Sequence, residues 1–284
     1  MGGTGATGAS QLPVIVLPVG VDDDALDTTL AALDAGTPAG ARVWLADDAQ
    51  AGPRGLAIIE RWLQRTPLQA DYTRRQRMLG EVAHLDQVLQ ACGDSNVIVL
   101  APDAVPAPGW AMQLAACLAR DAAIATATPW CNAGETAAWP QVGEINPMPT
   151  DLARIAEAAA GMPPLHPELP AAVDHAFAMR GSARQRAGGL DAASYGSAYA
   201  AMIDLSLRLS GLGWRNVLCE TAFVARAGEG GPVEGDMDAL AVRWPGWHAR
   251  LANFLMDDPL HGTRARLRDG YAEADAPRSQ RELF

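Results

Sequence analysis

One short stretch of the chain, residues 96–110, constrains the fold more than any other. It reads NVIVLAPDAVPAPGW, in which the four apolar residues Val97–Leu100 run without alternation into an Ala-Pro-Asp tripeptide that ends at Asp103. An unbroken apolar run closed by proline predicts a strand buried on both faces, as at the centre of a parallel sheet. Asp103 then follows the carboxyl end of this strand, where open α/β sheets bind ligands. The alternative is that Asp103 only caps the turn before Pro108.

Two further apolar runs precede this strand. Residues 12–19 (LPVIVLPV) and 41–46 (ARVWLA) predict buried strands, and each is followed by a segment with apolar residues at helical spacing. The second run places Asp47 and Asp48 at its carboxyl end. Alternating strands and helices imply right-handed crossovers and a mainly parallel sheet flanked by helices, in a single large α/β domain. We therefore expect Asp47, Asp48 and Asp103 to face one crevice.

The alternation breaks after a predicted strand at residues 122–128. Residues 129–170 are rich in proline and glycine and contain one clear helix, at 151–160. Such a segment is typically a functional loop or lid. It contains Trp130 and Trp139, for which stacking on a sugar and packing in the core are alternatives.

The predicted organisation has three parts. Residues 1–11 form a flexible leader, residues 12–258 form the folded domain with a helix at 236–256, and residues 259–284 form a charged tail or linker. The four cysteines are far apart and form no C-x-x-C pair, which fits neither a zinc site nor a disulfide framework and favours a cytoplasmic location.

Charge and hydropathy limit the classes of partner. The formal net charge is −11, and all 22 basic residues are arginine, which argues against a broad surface for nucleic acid or anionic membrane. No apolar run approaches the ~18 residues of a membrane span. We therefore expect neither a nucleic-acid partner nor a membrane span.

Six segments in the same order resemble the inverting family 2 glycosyltransferases of the GT-A fold. They are Pro18-Val19, Asp47-Asp48, the strand end at Asp103 with Pro108-Gly109-Trp110, Gly188-Gly189-Leu190-Asp191, the octapeptide AMIDLSLR at 201–208, and Gly213-Trp214-Arg215-Asn216. The resemblance implies a GT-A-like, Rossmann-like fold with a nucleotide half at 12–103 and an acceptor half at 104–225.

The resemblance also implies a function. A sugar would pass from a nucleotide-diphospho-sugar donor to a carbohydrate acceptor with inversion, in surface glycan synthesis. Pro18, Asp47 and Asp48 would hold the nucleotide, because carboxylates accept hydrogen bonds from ring N–H and sugar O–H groups. Asp103 would bind Mg²⁺ or Mn²⁺, which neutralises the leaving diphosphate. The implied partners are the nucleotide-sugar donor, a glycan acceptor and other domains of a larger glycan-synthesis protein.

Two positions depart from the family pattern. The expected catalytic base is replaced by Met202, and the first acid of the metal motif is replaced by Ala101. Methionine cannot take the proton of an acceptor hydroxyl. If no other carboxylate acts as the base, transfer should be slow or absent, and Met202→Asp should raise turnover if the acceptor site is otherwise intact. The candidate substitutes already in the chain are Asp191, Asp174 and Asp204.

The acceptor side is assigned to Gly188, Gly189, His175 and Trp130. The glycines are also explained by a plain turn, and His175 by a structural role in an apolar segment. If no carboxylate replaces the base, the chain is a pseudo-glycosyltransferase that binds a nucleotide, a glycan or a partner domain without chemistry. Met202 and Ala101 favour that alternative, whereas the three strand-end aspartates favour retained donor binding.

Overall fold

A computed structural model of the chain describes residues 12–228 and 230–274. The expected leader at 1–11 and the end of the expected tail, residues 275–284, lie outside the described residues. The strands are β1 (Val14–Pro18), β2 (Arg42–Asp47), β3 (Gln69–Arg74), β4 (Val97–Leu100), β5 (Ala104–Pro106), β6 (Ile124–Trp130), β7 (Ala176–Met179) and β8 (Arg215–Arg226). The helices are α1 (Asp23–Gly36), α2 (Pro53–Leu63), α3 (Glu81–Ala91), α4 (Trp110–Arg120), α5 (Leu152–Ala160), α6 (Gly181–Ala187), α7 (Ala198–Gly211), α8 (Asp236–Arg243), α9 (Trp247–Asp257) and α10 (His261–Glu273).

The strands form one sheet in the order β3-β2-β1-β4-β7-β6-β8-β5. Strands β3, β2, β1 and β4 are parallel to one another, and β6 is parallel to β8. Strand β7 runs antiparallel to both of its neighbours, β4 and β6, and β5 runs antiparallel to β8. The prediction of a mainly parallel α/β sheet is confirmed, and β7 joins its two halves.

Strand β4 lies at the centre of the sheet and is buried on both faces, as its uniform apolar sequence predicts. Its side chains alternate between two core clusters, with Ile98 and Leu100 on one face and Val97 and Val99 on the other. Helices α1, α2 and α4 cover the first face, and α3, α6 and α7 cover the second. This packing fixes where each strand ends.

The C-terminal part differs from the sequence-based expectation. Instead of one helix at 236–256, the chain forms α8 and α9, because Pro245 lies between them and lacks the N–H that a continuous helix needs. The expected tail does not hold over residues 261–273, which form α10. Helix α10 packs against α5, with Leu267 fully buried and Arg154 donating a hydrogen bond to the carbonyl of Tyr271 (2.7 Å).

The long segment after β6 is anchored to the end of β8. Asn132 accepts a hydrogen bond from the backbone N–H of Arg226 (2.9 Å) and donates to the carbonyls of Arg226 (3.1 Å) and Asn146 (3.0 Å). Helix α5 confirms the helix predicted in this segment. None of the described helices has the length and apolar character required to cross a membrane.

Candidate active site

A cavity of about 400 Å³ opens beyond the carboxyl ends of β1, β2 and β4. Its wall contains Pro18, Asp48 and Pro102, which follow or end these strands, together with residues of the first turns of α3 and α7. Open α/β sheets bind their ligands at this place, outside the carboxyl ends of the strands. Of the three aspartates expected to face one crevice, Asp48 lies in the cavity wall, and Asp47 and Asp103 lie outside it.

Asp48 lies in the cavity wall and holds the start of α3. Its carboxylate accepts hydrogen bonds from the backbone N–H groups of Leu79 and Gly80, both at 2.8 Å, and Arg75 lies 3.6 Å away. Gly80 has a φ of +102°, which glycine adopts without steric cost. The turn places Glu81, the first residue of α3, in the wall of the cavity.

Asp47, which precedes Asp48 in the sequence, has a structural role. It is fully buried and outside the cavity wall. Its carboxylate accepts hydrogen bonds from the Tyr72 hydroxyl (2.8 Å), from Arg74 (2.7 Å) and from the backbone N–H of Gln50 (2.6 Å). Of the pair expected to hold the nucleotide together, only Asp48 faces the cavity.

We predict that Asp47→Ala lowers the free energy of unfolding by about 3 kcal/mol. The substitution leaves the backbone N–H groups of Gln50 and Ala51 without their buried acceptor, and each unsatisfied buried group costs roughly 1–3 kcal/mol. Urea denaturation of the two proteins measures the loss. Asp22→Ala is the control, because Asp22 is exposed and only caps α1; an equal loss in both variants would contradict a special role for Asp47.

Asp174 and Arg226 also line the cavity, and they form a charged cluster with Asp103, which itself lies outside the cavity wall. The Nη2 and Nε atoms of Arg226 lie 2.9 Å and 3.3 Å from the two carboxylate oxygens of Asp103, and Nη1 lies 3.5 Å from Asp174. The backbone N–H of Gly228 also donates to Asp103 (3.2 Å). Burial acts to lower the pKa of Arg226, but Asp174 and Asp103 raise it above its usual value. Arg226 is therefore charged at every physiological pH.

This cluster does not fit the divalent cation that the resemblance implies. Both carboxylate oxygens of Asp103 accept hydrogen bonds from Arg226. Ala101 stands where the metal motif of the family has its first acid, so the motif has no second carboxylate. Across residues 12–228 and 230–274, no three His, Cys, Asp or Glu side chains are arranged to hold a metal ion. Mg²⁺ and Mn²⁺ need several oxygen ligands. Metal binding by Asp103 stays a prediction of the resemblance.

The three candidate bases lie in different surroundings. Asp174 lines the cavity, and its burial raises the pKa of its carboxyl while Arg226 acts in the opposite direction. Asp191 lies outside the cavity wall and pairs with Arg243 (2.7 Å). Asp204 is fully buried and is held by hydrogen bonds from Arg208 (2.9 Å) and the indole of Trp244 (2.8 Å). Of the three, the structure brings only Asp174 to the cavity.

Met202 and the expected acceptor-side residues lie away from the main cavity wall. Met202 and Trp130 are fully buried in apolar clusters, which favours the core-packing alternative for Trp130. Gly188 and Gly189 follow α6 with φ values of +86° and +81°, as in a turn. His175 is fully buried beside Asp174, and burial lowers its pKa to about 3, so the ring is neutral.

Among the residues of the cavity wall that sequence reasoning missed are Glu81, Tyr199 and Arg226. Arg226 ends the last strand, as Asp103 follows the central one, so a search for charged strand ends would have found it. Glu81 directly follows a glycine, and an acidic residue favours the first turn of a helix. Tyr199 has no comparable sequence signal; its hydroxyl donates to Glu135 (2.9 Å), far away in the chain.

Sequence comparison finds no matching protein-family model and no significant match among curated proteins. Solved structures do match. GalNAc-T7 with UDP, GalNAc and Mn²⁺ has a TM-score of 0.62 and 14% identity, over 92% of this chain and 55% of that one. The mannosyltransferase PcManGT from Pyrobaculum calidifontis, with GDP-Man and Mn²⁺, has a TM-score of 0.56 and 16% identity, over 95% of this chain and 77% of that one.

A third match is S. aureus TarS 1-349 with UDP-GlcNAc, with a TM-score of 0.58 and 11% identity, over 81% of this chain and 64% of that one. This chain thus spans about half the length of the GalNAc-T7 structure and less than two thirds of TarS 1-349. Identities this low show a shared fold and no more. The chain is a single α/β domain with the GT-A-like fold of these glycosyltransferases.

Proposed function

We propose that this chain is a glycosyltransferase that moves a sugar from a nucleotide-diphospho-sugar donor to a carbohydrate acceptor with inversion, in surface glycan synthesis. One observation carries the proposal: a single cavity at the carboxyl ends of the strands joins a nucleotide side, at Pro18 and Asp48, to a buried carboxylate, Asp174. The fold supports it, since three of the matching structures contain UDP, GDP-Man or UDP-GlcNAc.

The nucleotide is placed against Pro18 and Asp48, in the half formed by residues 12–103. The cavity, at about 400 Å³, is within the range of small-molecule sites. Each carboxylate oxygen of Asp48 has lone pairs beyond those used by Leu79 and Gly80, so it can accept hydrogen bonds from a base or ribose. The sugar and diphosphate then extend toward Asp174 and Arg226.

The reaction is a single displacement. The acceptor oxygen forms a bond to the anomeric carbon, the bond from that carbon to the phosphate oxygen breaks, and its electron pair leaves with the nucleoside diphosphate. Asp174 takes the hydroxyl proton, because it is the carboxylate of the three candidates that lines the cavity and its raised pKa suits a general base. Attack on the face opposite the diphosphate inverts the anomeric centre, so the sugar must enter between Asp174 and Arg226, which lie 3.5 Å apart in this structure.

Isothermal titration calorimetry tests donor binding. We expect UDP, GDP, UDP-GlcNAc or GDP-Man to bind, and Asp48→Ala to weaken the affinity about tenfold or more, because Asp48 both contacts the nucleotide and holds the start of α3. Asp121→Ala is the matched control: Asp121 also accepts a backbone N–H and pairs with an arginine, but lies outside the cavity wall. No affinity for any of the four ligands at millimolar concentration would refute the proposal.

A pseudo-glycosyltransferase is the second candidate. It is favoured by the burial of Met202 in the core and by the pairing of Asp103 with Arg226, since both remove groups that the resemblance assigns to chemistry. Such a protein binds the nucleotide-sugar without consuming it. Mass spectrometry of a bound donor, incubated with a panel of glycan acceptors, separates the two: a glycosylated acceptor identifies the enzyme, and intact donor in every incubation identifies the pseudo-enzyme.

A further inference from the structure

We propose that the guanidinium of Arg226 binds the donor diphosphate and supplies the positive charge that the resemblance assigns to a metal ion. The inference rests on the proposed function, because it names the group that meets the leaving diphosphate. The carboxylate of Asp103 is paired with Arg226 and does not fit a metal ion. The same pairing fixes the guanidinium of Arg226, a cation, at this place.

The backbone N–H and carbonyl of Arg226 are both hydrogen-bonded to one side chain. Arg226 is the last residue of β8, its N–H donates to the side chain of Asn132 (2.9 Å), and its carbonyl accepts from the same side chain (3.1 Å). Gly230 passes so close that a Cβ there would lie 2.9 Å from Nη1 of Arg226 and 1.8 Å from Asp174. The guanidinium is thus preorganised and largely shielded from water, which strengthens its attraction for an anion.

The guanidinium keeps donors for a ligand. Arginine has five N–H groups; Asp103 takes one from Nε and one from Nη2, and Asp174 lies within reach of one from Nη1, which leaves one N–H on each of Nη1 and Nη2. Asp103 accepts hydrogen bonds from the edge of the planar guanidinium that carries Nε and Nη2. The other edge carries Nη1, which lies near Asp174, and it remains directed along the cavity wall. A planar fork of this kind binds two phosphate oxygens at once, which the point charge of a lysine cannot do.

The charges around the cavity make this contact necessary. Among the described residues that line it, the carboxylates are Asp48, Glu81 and Asp174, and Arg226 is the sole arginine. A diphosphate entering between these carboxylates requires a compensating positive charge. The first turns of α3 and α7, which begin at the cavity, add the partial positive charge of helix N-termini. Arg226 adds the one full positive charge among these lining residues, which Asp103 and Asp174 offset in part.

Calorimetry with UDP and GDP, once in EDTA and once with Mn²⁺, tests the proposal. We expect the wild-type affinity to be the same in both buffers, and Arg226→Gln to reduce it roughly tenfold or more. Arg226→Lys should recover part of the loss. Arg215→Gln is the matched control, since Arg215 begins β8 and also bridges two carboxylates, Asp121 and Glu168, but lies outside the cavity wall; its affinity should not change.

The outcomes separate this inference from the proposed function. Binding that requires Mn²⁺ and is unchanged or tighter in Arg226→Gln overturns the role of Arg226. It would show that Arg226 competes with a metal ion for Asp103, and the proposed glycosyltransferase function would be unaffected. An absence of binding in both buffers overturns both. If Arg226→Gln does not fold, as judged by circular dichroism, the wild-type comparison decides: equal affinity in EDTA supports the proposal, and loss of binding in EDTA overturns it.

Discussion

Asp174→Asn is expected to reduce sugar transfer by about 10²- to 10⁴-fold, the usual contribution of a positioned general base. Asparagine keeps the size of the side chain but cannot take the proton of the acceptor hydroxyl. Nucleoside diphosphate binding should persist, because asparagine keeps an oxygen that can accept a hydrogen bond from Arg226 and removes a negative charge beside the diphosphate. Single-turnover transfer assays measure the rate, and calorimetry with UDP or GDP measures the binding.

Asp191→Asn is the control for this substitution. Asp191 was an equal candidate by sequence, but it pairs with Arg243 (2.7 Å) outside the cavity wall, so its variant should keep wild-type transfer. Wild-type transfer in Asp174→Asn would show that another carboxylate acts as the base. Glu81, which also lines the cavity, would then be the next residue to substitute.

The pH dependence of transfer gives an independent check. Burial raises the pKa of Asp174, so the proton that inactivates the base is bound at a higher pH than for an ordinary aspartate. The acid limb of the rate profile should therefore lie above the usual aspartate range, near pH 3.9, and transfer should be lost as pH falls through it. The pH–rate profile measured from the residual activity of Asp174→Asn should lack this acid limb.

Met202→Asp is expected to lower the free energy of unfolding by about 3–5 kcal/mol, the usual cost of an uncompensated buried charge. The substitution follows from the resemblance, which places the missing base at this position, and by sequence alone it should raise turnover. In the structure Met202 is fully buried on α7 within an apolar cluster. An aspartate there has neither solvent nor a cation to face.

Urea denaturation measures the effect, and Met202→Leu is the control. Leucine conserves volume and polarity, so that variant should lose less than about 1.5 kcal/mol. A stable Met202→Asp protein with increased transfer would contradict the burial argument. It would mean that α7 presents this position to the cavity, as the sequence-based interpretation requires.

Local sequence was sufficient for the architecture and for part of the site. The uniform apolar run of β4, the helix-forming segments between strands and the acids at strand ends predicted a mainly parallel sheet with a crevice beyond its carboxyl edge. These features depend on periodicity and on the rule that parallel strands end at one edge, so they can be read from short segments. Asp48 and Pro18 lie in the cavity wall, whereas Asp47 and Asp103, which the same rule placed there, lie outside it.

Tertiary packing alone decided which charged residues meet. Asp47 and Asp48 are neighbours in sequence, yet one faces Tyr72 and Arg74 and the other faces the cavity, because successive side chains at the end of a strand point to opposite sides. The pairing of Arg226 with Asp103 joins residues 123 positions apart, and no local pattern encodes it. A side chain becomes a ligand, a base or a core residue through neighbours from distant segments, and only the folded chain brings those neighbours together.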